Sequence, residues 1–343
     1  MAERVKKKVK EEGGLYFASP KTDIQFIHSG SKLLDLALGG GWAENRIANI
    51  VGDAASGKTL LAIEACTNFA DKYSDGAIRY CETEAAFSEE YAAALGMPIE
   101  RVDFGEPIVT VEELFEDICK YTKNKKQKAY YVVDSLDALT DAAEIGRAFN
   151  EGSFGTGKAR QMSKLFRMTT RDVEKSNTTV LIISQTRANI GAMFGDKIAV
   201  SGGEALKFYS SQRLFLRYLG QLSRTIKGIK RTTGIKVKGN VRKNKVGLAF
   251  REAEFNIDFG FGINDVESCL TWLKTTKAPT QFGEPTSYLK ELNKMDNKEY
   301  RNSIDKIHKA VEEWWWAIET ELLPKRVKYD RPREGVPTSS SQD

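Results

Sequence analysis

Short apolar runs recur along this chain at intervals that a helix-sized stretch fills. RIANIVG (46–52), IRYCE (78–82), AYYVVDS (129–135) and TTVLIISQ (178–185) are compact and mostly apolar, and each ends in small or polar residues. Between them lie stretches with helical periodicity, such as LLAIEACTNFA (60–70). From Ile24 to about Ile263 this alternation predicts an α/β fold, a doubly wound and mostly parallel twisted sheet flanked on both faces by helices. In such sheets function gathers at the carboxyl ends of the strands. Two glycine-rich segments, 146–157 and 187–203, interrupt the alternation and read as functional loops.

The flanks differ from this core. Residues 1–12 predict a short charged helix that Gly13-Gly14 cuts off. Asp265–Lys274 and Lys298–Leu323 predict helices joined by the turn-rich KAPTQFGEPTS, and the stretch from Pro324 predicts a frayed tail. The implied division is 1–26 as N-terminal helix and linker, 27–270 as core, 271–323 as a small helical C-terminal region and 324–343 as tail. Trp314-Trp315-Trp316 fan too widely around a helix to share one face, so at least one is expected at the surface or a contact.

Composition narrows the function classes. With 343 residues, 41% hydrophobic and 29% charged, the chain is neither disordered nor collagen-like, and no apolar run approaches the roughly 18 residues of a membrane span. The start MAERVKKKVKEEGG has no apolar segment of a secretory signal, so the expected location is the cytoplasm. Cys66, Cys81, Cys119 and Cys269 are dispersed, and His28 and His308 are the only histidines, which argues against a disulfide framework or a zinc site. The net charge of +5 conceals an asymmetry: from Ala205 through Arg251 there are thirteen Lys and Arg and no Asp or Glu. Such a basic island in an otherwise net acidic chain reads either as a polyanion footprint or as a solvated surface hairpin.

The clearest chemistry lies at Gly52-Asp53-Ala54-Ala55-Ser56-Gly57-Lys58-Thr59, which fits G-x-x-x-x-G-K-[ST]. It follows the strand RIANIV and opens the helical stretch that begins at Leu60, the context in which this motif binds a nucleoside triphosphate. The glycines let backbone N–H groups turn toward phosphate, Lys58 neutralises β/γ oxygens, and Thr59 offers a hydroxyl to Mg2+. Asp134-Ser135, at the tip of AYYVV, places a carboxylate where it can hold the same metal through water. Hydrolysis also needs a carboxylate to orient water, and Glu82 and Glu84 at the end of IRYC both qualify by spacing.

Taken together, SGSKLLDLALGGGW, GDAASGKT, YCETEAAFSEEY, YVVDSLDALT, IISQTRANIGAMFG, SGGEALKFYSSQRLFLR and VRKNKVGLAFREAEFNIDFGFGI resemble the bacterial RecA recombinases and their phage relatives of the UvsX type. The resemblance is colinear from about Ile27 to Ile263 and includes both glycine-rich loops. It implies a RecA-like P-loop ATPase core, hence a DNA-dependent ATPase using ATP and Mg2+. Such proteins form helical filaments on single-stranded DNA and exchange strands with double-stranded DNA. Single-strand-binding and loading proteins are further partners it implies, in a bacterial or phage-infected cytoplasm.

By position the resemblance makes Glu84 the water-activating residue, Tyr91 the adenine-stacking aromatic and Gln185 the γ-phosphate sensor. Lys243 and Lys245 match lysines that reach the ATP of the adjacent protomer, and Lys207-Phe208 match an interface pair. DNA contacts are implied at Arg160, Ser163 and Arg167, and in the second loop at Arg187, Asn189, Ile190, Gly191, Met193, Phe194, Gly202 and Gly203. Once Lys207, Lys243 and Lys245 are so assigned, at most ten cations of the island remain for a polyanion or plain solvation. The chain departs from the family pattern in several places, among them a short and basic N-terminal helix and a terminus without a strongly acidic tail. Asp53-Ala54-Ala55 replaces Pro-Glu-Ser, the first loop is about one residue longer, and Thr156 there replaces an apolar residue. Two other readings share the core: a mediator or scaffold with ATP as a structural clamp, and a hexameric DNA motor.

Overall fold

The apolar runs become neighbouring strands, and the helical stretches cover them from both sides. The computed structural model describes residues 24–124, 126–145, 156–188, 198–200 and 203–322. In chain order these form β1 (Phe26–Ile27), α1 (Lys32–Leu38), β2 (Trp42–Ala43), β3 (Ile47–Gly52), α2 (Lys58–Lys72), β4 (Ala77–Glu82) and α3 (Glu89–Ala94). Next come β5 (Val102–Asp103), α4 (Val111–Lys123), β6 (Ala129–Asp134), α5 (Ala142–Ile145), α6 (Thr156–Lys175), β7 (Thr178–Ala188), β8 (Ile198–Val200) and α7 (Gly203–Tyr209). The remainder is β9 (Gln212–Ile226), β10 (Ile229–Asn244), β11 (Arg251–Asp258), β12 (Gly262–Asn264), α8 (Asp265–Thr275), α9 (Pro285–Leu292) and α10 (Asn297–Leu322).

The main sheet runs β12-β11-β10-β9-β3-β7-β6-β4-β5, with β8 pairing to β7. The six strands from β9 to β5 are parallel, and β10, β11 and β12 extend them antiparallel. Every residue of β3 and β6 is buried, as their unbroken apolar runs predict. Alternate side chains feed two cores: Ile50, Tyr130, Val132 and Leu181 join one, while Ile47, Tyr131, Val133 and Ile182 join the other. Each such side chain contributes about 1.5–3 kcal/mol of hydrophobic stabilisation. Local signals agree with this packing. Thr110 and Glu113 form a reciprocal capping box at the start of α4, and Ser31 caps α1.

The basic island is mostly the β9–β10 hairpin. Its turn uses Lys227 and Gly228 at φ 51° and 78°, the paired left-handed conformation that two-residue hairpins favour. Beyond Arg217 the β9 arm is largely exposed, so this part of the hairpin is solvated. Nearer the sheet, Lys238 pairs with Glu252 at 2.6 Å and Lys236 with Glu254 at 2.8 Å, which neutralises two of the island's charges.

The C-terminal helices pack on the first core instead of standing apart. Leu273, Ile307, Val311 and Trp315 belong to the same cluster as Leu33, Leu34 and Val237. Polar ties reinforce this: Arg251 meets Glu319 at 2.5 Å, Lys32 meets Glu312 at 3.0 Å, and His308 meets Asp265 at 2.6 Å. The expected division at 270/271 falls inside α8. Trp315 is buried, and Trp314 and Trp316 are half-buried against the same cluster, so none of the three is an exposed platform. Helix α9 begins inside the stretch read as turns, because Pro285 stands at a first helical position, where its missing N–H costs nothing. The N-terminal stretch 1–12, the segment 146–155 and the tail lie outside the described residues.

Candidate functional site

Strands β3, β7, β6 and β4 are consecutive in the sheet, and their carboxyl ends form one rim. Gly52 pairs with Gln185 and Glu82 with Asp134, so the phosphate loop, both candidate carboxylates, Asp134 and Gln185 emerge together. Gly57, at φ 90°, precedes α2, and a Cβ there would fall 2.6 Å from Ile257 Cδ1; only glycine fits. Ser56 Oγ and Lys58 Nζ both donate to the Asp53 carbonyl, at 2.8 and 2.7 Å. Ala54 and Ala55 are exposed on the loop, whereas Leu60 buries its side chain in the first core.

The electrostatics of this rim suit a phosphate and a cation. Burial holds the Lys58 ammonium below lysine's usual pKa, against the pull of Asp134, Glu84, Asp137 and Asp53. Burial likewise pushes the Asp134 carboxyl up, although hydroxyls of Tyr80 (2.8 Å) and Thr59 (2.9 Å) donate to its Oδ2. Thr59 and Asp134 therefore supply two hard oxygen donors side by side, at a site where a cation would relieve the cost of a buried carboxylate. That donor set fits Mg2+.

The structure separates the two glutamates that spacing left equivalent. Glu82 Oε1 accepts the backbone N–H of Glu84 (2.9 Å) and Ala86 (3.1 Å), so it ties down the turn. Glu84 faces the rim instead: its Oε1 accepts the Ser135 hydroxyl and the Gln185 amide, the latter at 2.8 Å. Gln185 is fixed in turn by its own N–H, which donates to Asp137 Oδ2 at 2.7 Å.

Tyr91 lies 41% exposed on α3, near Glu64 of α2. From the other side the β11–β12 turn closes on the same glutamate, with the Ile263 N–H donating to Glu64 Oε1 at 3.3 Å and Gly262 against Glu64 and Leu95. That turn exposes Phe259 and Phe261, two aromatics on the side of α2 that carries Glu64. In the sequence they stand in FGFGI, where aromatic residues alternate with turn-forming glycines.

Lys243 and Lys245 lie elsewhere. Lys243 is opposite Arg213, which pairs with Asn49, and the Lys245 N–H reaches Ser211, whose N–H bonds to Ile47. They thus sit toward the amino end of β3, up to five residues, or roughly 16 Å, from its carboxyl end at Gly52. Lys243 Nζ donates to the carbonyls of Lys207 and Phe208, at 2.5 and 2.7 Å, and Phe208 is 67% exposed. On α6, Arg160, Ser163 and Arg167 are exposed along one face. Arg187 belongs to β7 and Gly203 opens α7. Asn189, Ile190, Gly191, Met193, Phe194 and Gly202 lie outside the described residues.

A parallel sheet carrying GDAASGKT and an Asp134-type strand end on one rim defines a P-loop nucleoside triphosphatase. More closely, the chain belongs to the RecA family of recombination ATPases: the RecA N-terminal domain family matches residues 3–264. Protein RecA of Trichodesmium erythraeum (strain IMS101) is 36% identical over 265 residues, 77% of this chain and 71% of the relative. Protein RecA of Synechococcus sp. (strain CC9902) is 36% identical over 265 residues, covering 77% and 68%. Protein RecA of Arthrospira platensis is 36% identical over 273 residues, covering 80% and 72%. Among the described residues no helix is long and apolar enough to cross a membrane.

Proposed function

We propose that this chain couples ATP hydrolysis to DNA strand exchange, as a helical filament that coats single-stranded DNA and pairs it with homologous double-stranded DNA. The observation that carries the reading is the Glu84–Gln185 hydrogen bond, because Gln185 stands two residues before the loop 187–203. A change at the γ-phosphate is thereby felt where DNA is expected.

In this reading the backbone of residues 52–60 cradles the phosphates and Lys58 neutralises them. Mg2+, when bound, offsets phosphate charge, with Thr59 and Asp134 holding it, Asp134 through water. Glu84 orients the attacking water, Ser135 positions Glu84, and Tyr91 stacks on the base. Lys243 and Lys245 lie too far along the sheet to serve their own chain's loop, so they reach the nucleotide of a neighbouring protomer, beside the exposed Phe208. Arg160, Ser163, Arg167, Arg187 and the loop residues contact DNA through phosphate charge and base stacking, both of which tolerate any sequence. Residues 27–270 carry these activities and 1–26 make the protomer contact.

Electron microscopy with a non-hydrolysable ATP analogue and single-stranded DNA tests this, alongside turnover with and without DNA. Open helical filaments and DNA-stimulated turnover are expected. Closed rings would instead indicate a motor, and neither assembly would indicate a mediator.

A further inference from the structure

Because β3 and β7 are neighbours, the phosphate loop leaves β3 beside the end of β7, whose Thr186–Ala188 pair with β8 (Ile198–Val200). Gly52 pairs with Gln185, and beyond that pair the Thr186 hydroxyl donates to the Asp53 carboxylate Oδ1. Asp53 opens the phosphate loop, and its carbonyl accepts from Lys58 Nζ. Thr186 precedes Arg187, where the second glycine-rich loop begins. One residue is therefore tied through its main chain to the phosphate-binding ammonium and through its side chain to the root of the other loop. Asp53 also belongs to the three loop positions at which this chain departs from the family pattern.

We propose that Asp53 and Thr186 form a nucleotide-dependent latch, a second link between the phosphate loop and loop 187–203 running parallel to Glu84–Gln185. A bound triphosphate draws Lys58 off the Asp53 carbonyl, and its negative charge holds the Asp53 carboxylate outward against the Thr186 hydroxyl. Loss of the γ-phosphate removes part of that repulsion and slackens the latch. The bond thus differs between nucleotide states, which is the condition for a ligand to bias a conformation. Reciprocity then requires that DNA, by engaging loop 187–203, favours the triphosphate through the same bond. Thr186 is a positioning residue here, and the inference rests on the reading that loop 187–203 contacts DNA.

The test uses the full chain, measuring ATP turnover with and without a thymidine homopolymer, and the affinity for that homopolymer in ATP and in ADP. Thr186→Val removes the hydroxyl at nearly constant shape. It is expected to keep DNA-free turnover and melting temperature while losing about three- to tenfold of the DNA stimulation. The preference of DNA for the ATP state should shrink by a similar factor, and Thr186→Ser should retain both. Wild-type stimulation in Thr186→Val overturns the latch, as does an equal loss of DNA-free turnover. If the wild-type chain shows no stimulation at all, the recombinase reading fails and takes the latch with it.

Discussion

The amide of Gln185 donates to the carboxylate of Glu84 at 2.8 Å, joining the ends of β7 and β4 across the intervening strand β6. The same carboxylate oxygen accepts the Ser135 hydroxyl, and the Gln185 backbone is anchored on Asp137. Glu84 Oε1 thus accepts two side-chain hydrogen bonds at the rim, which fix where its carboxylate points. Glu82, two residues earlier, is used up in capping the turn.

From this follows the first prediction. Glu84→Gln preserves size and hydrogen bonding but not charge, so nucleotide binding and filament formation should persist while turnover falls about a hundredfold or more. Glu82→Gln should lose far less, because a neutral amide oxygen still accepts the two N–H groups. Steady-state hydrolysis read beside electron microscopy decides it, and robust turnover by Glu84→Gln would remove Glu84 from its role.

The position of Lys243 and Lys245 toward the other end of β3 yields a second prediction. A chain carrying Lys243→Ala and Lys245→Ala should bind ATP yet turn it over poorly, and Lys58→Ala should also be poor. Mixed together, they should regain turnover at interfaces where the Lys58→Ala protomer lends its lysines to an intact phosphate loop. Hydrolysis measured across mixing ratios tests this. A mixture no more active than its components would show that the lysines do not act between protomers.

How far the molecule was legible in its sequence depends on the range of the interaction. The strands were readable because burial on both faces leaves unbroken apolar runs, and GDAASGKT because its chemistry is contiguous. Spacing leaves Glu82 and Glu84 equivalent and only the resemblance separates them; their different hydrogen bonds depend on the backbone of the turn, which spacing does not encode. The Asp53–Thr186 contact joins residues 133 apart through a strand order that the sequence does not display. Pro285 looks like a turn residue in the sequence because proline at a helix start and proline in a turn are locally alike. The basic island was seen as one feature, yet cross-strand partners Glu252 and Glu254 divide it, and register depends on bulges at Thr232/Gly234 and Lys236/Val237.

A third prediction concerns stability. Arg79, 3% exposed, pairs with Asp117 at 2.8 Å, and the Tyr131 hydroxyl donates to the same carboxylate at 2.7 Å. Asp117→Ala would strand a buried guanidinium and should cost about 3–5 kcal/mol in urea unfolding at neutral pH. Burial alone would push the Asp117 carboxyl up, but hydrogen bonds from Arg79 and Tyr131 hold it below its usual pKa. A folded-state pKa that is depressed stabilises above the unfolded value, about 3.9, and the contribution is lost as pH falls through the folded value. The gap between wild type and Asp117→Ala should therefore narrow on acidification below that point. A constant gap would refute the charge-based account.

Lys243 gives the last prediction, and its sign is opposite in origin. Burial, with Lys245 and Arg213 nearby, brings its ammonium down to about 8. Between about 8 and the ordinary lysine value the unfolded chain binds more protons than the folded one, so this group makes folding more favourable as pH rises through that window. Function should move the other way, since a neutral amine cannot neutralise a neighbour's phosphate. At subsaturating ATP, turnover should decline as pH rises through about 8, and saturating ATP should displace the decline upward because bound phosphate favours the charged amine. Lys243→Arg stays protonated throughout and should flatten the decline even if its absolute rate is lower, because a guanidinium does not reproduce an ammonium's geometry. A profile that falls at the same pH in wild type and Lys243→Arg would assign the titration to another group.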